Sequence, residues 1–261
     1  MTPRVVWQDG VRQEDGCIHL DADDATFLLG RGVFETLRTY DGTPFRMAAH
    51  LARLEASAAS VGVPFPGGEV LSSELMHAAE AIGGEAVVRV TLTHGGHRIV
   101  RATPLVDPLA GYRCATRVWT PPSWLDGSIK HTSRAHSVLV VEQSGADEVL
   151  WVDATGHLLE GTRSNVFAVR DGALLTPPLD GRLLEGVTRG ALLALARELG
   201  VVVHEQPMHH TAAFDELYLS STLKELSPIV AMNGVIAPGG GPLGARLSEA
   251  FVRAARAECS Q

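Results

Sequence analysis

The sequence predicts an α+β chain in two domains, and three observations carry that prediction. Hairpin-turn dipeptides recur beside β-branched runs, apolar residues elsewhere fall at helical spacing, and two adjacent prolines interrupt the middle of the chain. Strands and helices are intermixed with few strand–helix–strand units. At 261 residues, 45% of them hydrophobic, the chain is long enough to bury the cores such a fold needs.

Val5, Val6, Trp7 and Val11 flank Asp9-Gly10, a dipeptide that tolerates positive φ, so the chain opens on an antiparallel hairpin. Leu51, Leu54, Ala58 and Val61 recur at helical spacing from Met47 onward, with Gly62 and Pro64 as the stop. A second helix is expected over residues 72–82, ended by Gly83-Gly84, then a strand over 86–93 and a turn at Gly95-Gly96. Further strands are expected over 113–119, 148–152 and 166–169. Between them, Pro121-Pro122-Ser123-Trp124 favours an extended connection and marks the domain boundary. Asp171-Gly172 signals another hairpin, and Thr188 is expected to cap a helix bearing Leu192, Leu195, Ala196 and Leu199, which Gly200 stops. Strands at 201–204 and 217–220, a glycine loop at 239–242 and an amphipathic helix through Leu247, Phe251 and Ala254 complete the chain. No internal repeat is evident.

Charge and cysteine usage narrow the function. A formal net charge of −8 leaves no basic surplus to neutralise phosphates, which excludes a general affinity for nucleic acid or anionic membrane and favours small-molecule partners. Cys17, Cys114 and Cys259 form no CxxC pair and are odd in number, so neither a disulfide framework nor a zinc site is expected. The N-terminus carries no apolar signal core, and no apolar run reaches the roughly 18 residues of a membrane span. These features predict a cytoplasmic protein.

Of 22 basic residues only Lys130 and Lys224 are lysines, so lysine chemistry has two candidates. Lys130 follows the apolar Ile129 and precedes polar residues, a setting in which partial desolvation supplies the neutral amine that Schiff-base formation requires. Glu160, before the polar turn Gly161-Thr162-Arg163-Ser164-Asn165, is the kind of carboxylate that keeps a pyridine nitrogen protonated. A phosphate wants N–H donors at a helix start and a guanidinium, which Gly186-Val187-Thr188, Ser220-Ser221-Thr222 and Arg53 offer. Each is ordinary alone: surface lysines, solvated turn carboxylates and capping threonines are common.

Together they carry a family resemblance. The ordered segments Gly32-Val33-Phe34-Glu35-Thr36-Leu37-Arg38, His50-Leu51-Ala52-Arg53-Leu54, Lys130, Glu160 to Phe167, Gly186-Val187-Thr188-Arg189 and Ser221 to Pro228 resemble the class IV aminotransferases, the fold type IV enzymes of pyridoxal 5'-phosphate (PLP). The resemblance implies a D-amino acid aminotransferase-like fold, with a small N-terminal α/β domain (1–118), a linker (119–127) and a larger C-terminal PLP-binding domain (128–261). It also implies that Lys130 is the Schiff-base lysine and proton shuttle, and that Glu160 faces the pyridine nitrogen. Arg53, Val187, Thr188 and Thr222 would surround the phosphate, with Ser164, Asn165 and Ser221 beside the cofactor, and the chain would form a homodimer. Lys224 lies in the phosphate-side motif, where the family does not place its catalytic amine.

Arg31 stands where relatives usually have aspartate, and Arg163 where many have a small residue. Both add positive charge suited to carboxylate recognition, and Arg89 and Arg98 are further candidates, with Phe34 and Thr36 lining the substrate; the alternative is that Arg31 and Arg163 only pair with acidic neighbours. Arg89 alternates with Val88 and Val90 and so points away from their face. The expected activity is transfer of the amino group of a D-amino acid, such as D-alanine or D-glutamate, to a keto acid such as 2-oxoglutarate or pyruvate. An aminodeoxychorismate lyase, which Ile129-Lys130-His131, Arg134 and Thr36 also resemble, is the first alternative, and a non-catalytic dimeric binding protein the second. His94, His97, His204, His209 and His210 lack matched carboxylate or cysteine ligands, so no metal is expected. Gly239-Gly240-Gly241 lacks the features of a nucleotide loop.

Overall fold

The structure, a computed structural model, describes residues 4–121 and 126–260. The expected linker thus lies partly outside the described residues, as do the first three residues of the N-terminal reading. Two compact units form, the first from Met1–Asp107, Ile129–Arg134 and Ala254–Gln261, the second from Pro108–Ser128 and Ala135–Arg253.

The first unit contains β1 (Val5–Gln8), β2 (Val11–Arg12), α1 (Ala25–Leu29), β3 (Val33–Tyr40), β4 (Thr43–Pro44), α2 (Met47–Val61), α3 (Gly68–Ile82), β5 (Ala86–Leu92) and β6 (Arg98–Pro104). Its six strands form an antiparallel sheet in the order β2-β1-β6-β5-β3-β4. The first turn has the expected geometry, with Asp9 at φ 54° and Gly10 at φ 82°. Along β5 the period-2 alternation turns Val88 and Val90 inward, where they pack with Val33 and Leu37 against Leu51, Leu54 and Ala58 of α2 and Leu71, Leu75 and Ala78 of α3. Helix α3 starts at Gly68, four residues before its expected start. The fully buried Leu71 lies in that added turn, and its packing outweighs the poor helix propensity of glycine.

One core-facing position on β3 holds a charge. Glu35 is fully buried; its Oε1 accepts from Arg53 Nε (2.6 Å) and its Oε2 from Arg53 Nη2 (2.9 Å), with His50 Nδ1 2.8 Å from the same Oε2. Residues Ile129–Arg134 join this unit through the start of β3: Thr132 N–H donates to Gly32 O (2.8 Å), Phe34 N–H to Lys130 O (3.1 Å) and Lys130 N–H to Ser57 Oγ on α2 (3.1 Å).

The second unit contains β7 (Tyr112–Val118), α4 (Ala135–Ser144), β8 (Glu148–Val152), β9 (Leu158–Gly161), β10 (Asn165–Arg170), β11 (Ala173–Thr176), α5 (Val187–Glu198), β12 (Val203–Glu205), β13 (Glu216–Ser221), β14 (Glu225–Met232) and β15 (Val235–Ile236); α6 (Pro242–Cys259) ends the chain. Its sheet runs β12-β11-β10-β13-β14-β7-β8-β9, with β15 paired to β14. Strands β10 and β13 are buried almost throughout, and Val166, Ala168, Leu217 and Leu219 pack with Leu150, Val152 and Ile229. Two expectations shift here. Thr188 does not cap α5: Gly186, extended at φ −69° and ψ 128°, is the N-cap, and Thr188 lies buried inside the first turn. The strand expected over 201–204 is instead β12, because Val201 N–H turns back to Ala196 O (2.9 Å) and closes the helix end. Among the described residues no helix is long and apolar enough to cross a membrane, and no group of three or more His, Cys, Asp or Glu is placed to hold a metal.

Burial alone would raise the pKa of Glu35, but hydrogen bonds from His50 and Arg53, with the charge of Arg53, hold it at about 2 against an ordinary 4.5. A depressed carboxylate contributes stability that is complete above pH 4.5 and is lost as the pH falls towards 2. Wild-type protein is expected to lose on the order of 2 kcal/mol more than Glu35→Gln between pH 5 and pH 2.5, read by denaturant unfolding. Parallel losses in both proteins would show that Glu35 is not the acid-sensitive group.

Candidate active site

Lys130 is held by its own backbone before its side chain does anything. Its N–H and C=O are tied to Ser57 and Phe34, and its Nζ lies 4.9 Å from the centre of the Phe34 ring. The same ring carries a second cation, the Arg89 guanidinium, at 3.7 Å. Arg89 leaves the core face of β5 as the alternation predicts, and pairs with Thr36 on β3 and Arg101 on β6. Burial, then the charges of Arg101 and Arg134, push the Arg89 pKa down to about 10, with only Glu35 opposing. A half-buried guanidinium beside other cations is a place where an anion gains energy by binding.

Arg53 belongs to the buried Glu35 cluster. The bidentate fork fixes the plane of its guanidinium, and α2 presents His50, Arg53 and Ser57 at helical spacing, so one helix orients Arg53 and anchors the Lys130 backbone. Burial lowers the His50 pKa in spite of Glu35.

In the second unit Glu160 lies on β9, where its Oε2 accepts from Leu184 N–H (3.1 Å) and from Asn165 Nδ2 (3.4 Å); Asn165 also donates to Leu184 O (3.0 Å). Asn165 Oδ1 reaches Gly186 so closely that a Cβ at Gly186 would collide with it. The start of α5 is thereby held beside the Glu160 turn. That helix has no side-chain cap and no acidic residue in its first turn, with Val187 half-buried and Thr188 buried. Asn165 is the register partner of Ser220 at the end of β13, whose Oγ is buried with no partner, and Ser221 and Thr222 follow half-buried.

Lys224 is engaged elsewhere: its Nζ donates to the fully buried Glu148 (3.0 Å), which also accepts from Thr162 Oγ1 and Ser164 Oγ. The other arginines fare unequally as substrate candidates. Arg31 donates to Val61 O (2.8 Å) at the C-terminal end of α2, and Arg98 is paired to Glu74 (2.9 Å) and Asp9 (3.8 Å). These bonds give both arginines partners within the first unit. Arg163 is exposed and donates to Asp147 O (3.3 Å).

Glu35, Ser57 and Glu148 were not among the residues expected at the site. Two carried a signal: Glu35 alternates with the core residues Val33 and Leu37, and Glu148 opens the otherwise apolar strand β8. A charge at a core-facing position demands a cation, here Arg53 and Lys224.

The chain is similar in sequence and fold to known aminotransferases. The chain is 29% identical over 296 residues to the branched-chain-amino-acid aminotransferase of Escherichia coli strain K12, covering 94% of this chain and 91% of that one. It is 27% identical over 282 residues to the D-alanine aminotransferase of Listeria monocytogenes, covering 96% and 95%. The fold is similar to that of a hypothetical aminotransferase from Mycobacterium tuberculosis in an alpha-ketoglutarate- and PMP-bound form, with TM-score 0.88, 27% identity and coverage of 97% and 99%. A model of the amino-transferase class IV family matches residues 32–232. The chain therefore belongs to the class IV aminotransferase family and is a PLP-dependent transaminase.

Proposed function

We propose that this transaminase passes amino groups to a dicarboxylic keto acid such as 2-oxoglutarate, and that Arg89 on the Phe34 ring receives the second carboxylate. The observation that carries this reading is the half-buried Arg89 guanidinium with Arg101 and Arg134 as its strongest charged neighbours. A dianionic acceptor can place its second carboxylate on the Arg89 guanidinium, a contact that a monocarboxylate lacks the group to make. The alpha-ketoglutarate bound to the Mycobacterium tuberculosis neighbour supports the same acceptor. As the donor, a branched-chain L-amino acid is supported by the Escherichia coli relative and a D-amino acid by the Listeria monocytogenes one.

The residues present fit the cofactor. An amine, a carboxylate steadied by a backbone N–H, an uncapped helix start and an orphaned serine hydroxyl match an aldehyde, a pyridine nitrogen and a phosphate in turn. When bound, PLP supplies an electron-withdrawing ring that stabilises negative charge at the substrate carbon. In this reading Lys130 Nζ is the attachment amine and, once released, carries the α-proton. Glu160 keeps the ring nitrogen protonated, with Ser164 and Asn165 supporting its turn. Arg53, Val187, Thr188, Ser221 and Thr222 hold the phosphate, and Phe34 and Thr36 border the substrate with Arg89 and Arg163. The proposal includes a cytoplasmic homodimer. Phe27, Leu28 and Leu29 on α1, exposed at 70%, 56% and 74%, support a second copy as their cover.

Lys130→Ala is expected to abolish the visible absorbance of the bound cofactor and to lower amino transfer at least about a thousandfold. Borohydride reduction and peptide mapping should mark Lys130, and a mark on Lys224 would overturn the assignment. Arg89→Met is expected to raise KM for 2-oxoglutarate about tenfold or more while changing that for pyruvate by less than about threefold. Equal effects on both acceptors would remove Arg89 from carboxylate recognition. A panel of D- and L-amino acids, followed as half-reactions, decides the donor, and pyruvate release from aminodeoxychorismate without amino transfer would favour the lyase.

A further inference from the structure

The second lysine and the second fully buried carboxylate have found no place in the reaction. Glu148 opens β8 with no exposed surface, and its two oxygens collect Lys224 Nζ (3.0 Å), Ser164 Oγ (3.2 Å) and Thr162 Oγ1. Burial opposes its charge, but the charge of Lys224, the Thr162 hydrogen bond, the charge of Arg163 and the Lys224 hydrogen bond together outweigh it, so the Glu148 pKa lies below its ordinary value and the carboxylate stays ionised. Around this carboxylate the turn after Glu160 is closely wrapped. Gly161 N–H donates to Ser164 O (2.6 Å), and a side chain at Gly161 would collide with Ser164 Oγ.

Lys224 is fastened at three points. Its N–H donates to Ser221 Oγ (3.1 Å), its C=O accepts from Ser227 Oγ (2.6 Å), and its ammonium meets Glu148. Glu225, next in the chain, holds a left-handed φ of 52°, a conformation that a non-glycine residue keeps only where its surroundings enforce it. The Glu148–Lys224 bond thus spans two loops: 162–164, which leads from Glu160 into β10, and 221–224, which leaves β13. These strands are neighbours, with Asn165 opposite Ser220.

We propose that the buried Glu148–Lys224 pair is a positioning device for the cofactor phosphate, holding Ser221 and Thr222 in register with the Glu160–Asn165 turn. The proposal rests on the reading that Ser221 and Thr222 face that phosphate. An uncompensated charge inside the unit is strongly disfavoured, so the pair excludes loop conformations that withdraw Lys224. A well-packed apolar pair would fill the same space without fixing the loop in this way.

The test compares PLP with pyridoxal, which lacks the phosphate, by titrating the apoprotein and following cofactor absorbance. The ratio of the two dissociation constants reports the phosphate contribution alone. Lys224→Met with Glu148→Gln removes both charges and strands neither. It is expected to lower that ratio about tenfold, by weakening PLP and leaving pyridoxal unchanged. Lys224→Arg keeps the charge and alters its reach, and is expected to lower the ratio about threefold, which keeps the test open should the double variant fail to fold. Melting temperatures that change while the ratio stays at its wild-type value in every folded variant would overturn the proposal, leaving the pair a purely structural one. Thr222→Val separates the two layers. If it lowers the ratio and the pair variants do not, positioning by Glu148 and Lys224 fails alone; if it too leaves the ratio unchanged, the phosphate-facing reading of the loop falls and the proposal with it.

Discussion

The position of Lys130 depends on a short segment pinned to a strand end. Three backbone hydrogen bonds, to Gly32, from Phe34 and to Ser57, make residues Ile129–Arg134 an appendage of the first unit's sheet and of α2. A lysine side chain has four rotatable bonds and ordinarily loses considerable entropy when it is held in one place. Fixing the backbone on two elements and lining the side chain with the Phe34 ring shortens the search that the amine must make. The core packing of α2 against β3 and β5 therefore bears directly on the amine: moving α2 moves Ser57, and with it Lys130.

Each unit is also organised around one fully buried carboxylate. Glu35 collects a histidine and a bidentate arginine in the first; Glu148 collects a lysine and two hydroxyls in the second. Neither is a cheap way to stabilise a core, because desolvating a carboxylate costs several kcal/mol before any partner returns it. What a buried charge supplies is direction: its partners must come to it, in one geometry, from wherever in the chain they originate. In both units those partners lie on or beside the segments that carry the proposed phosphate-binding residues.

Legibility from sequence followed the kind of signal. Helix α2 was readable to its ends because its apolar spacing and Gly62 agree, and the turns at Asp9-Gly10 and Asp171-Gly172 were readable because positive φ has few solutions. Strand β6, the short α1 and the pairing order of both sheets were not, since these depend on contacts between residues far apart in the chain. The same division runs through the site. Lys130, Glu160 and Arg53 stand out as chemical types in ordered motifs, whereas the bonds that take up Arg31 and Arg98 join residues 24 to 89 positions apart, and no local pattern announces them.

The two lysines of the chain sit in different environments, and the difference bears on the attachment role proposed for Lys130. Lys224 Nζ is bonded to a carboxylate that has no access to water, so abandoning that bond to attack a carbonyl would strand the Glu148 charge. Lys130 Nζ and the Arg89 guanidinium both lie against the Phe34 ring, 4.9 and 3.7 Å from its centre. Capturing an aldehyde at Lys224 would therefore break a buried ion pair, which supports Lys130 as the proposed attachment residue. Position in a motif and the engagement of Lys224 in a buried ion pair thus point the same way in the proposed assignment.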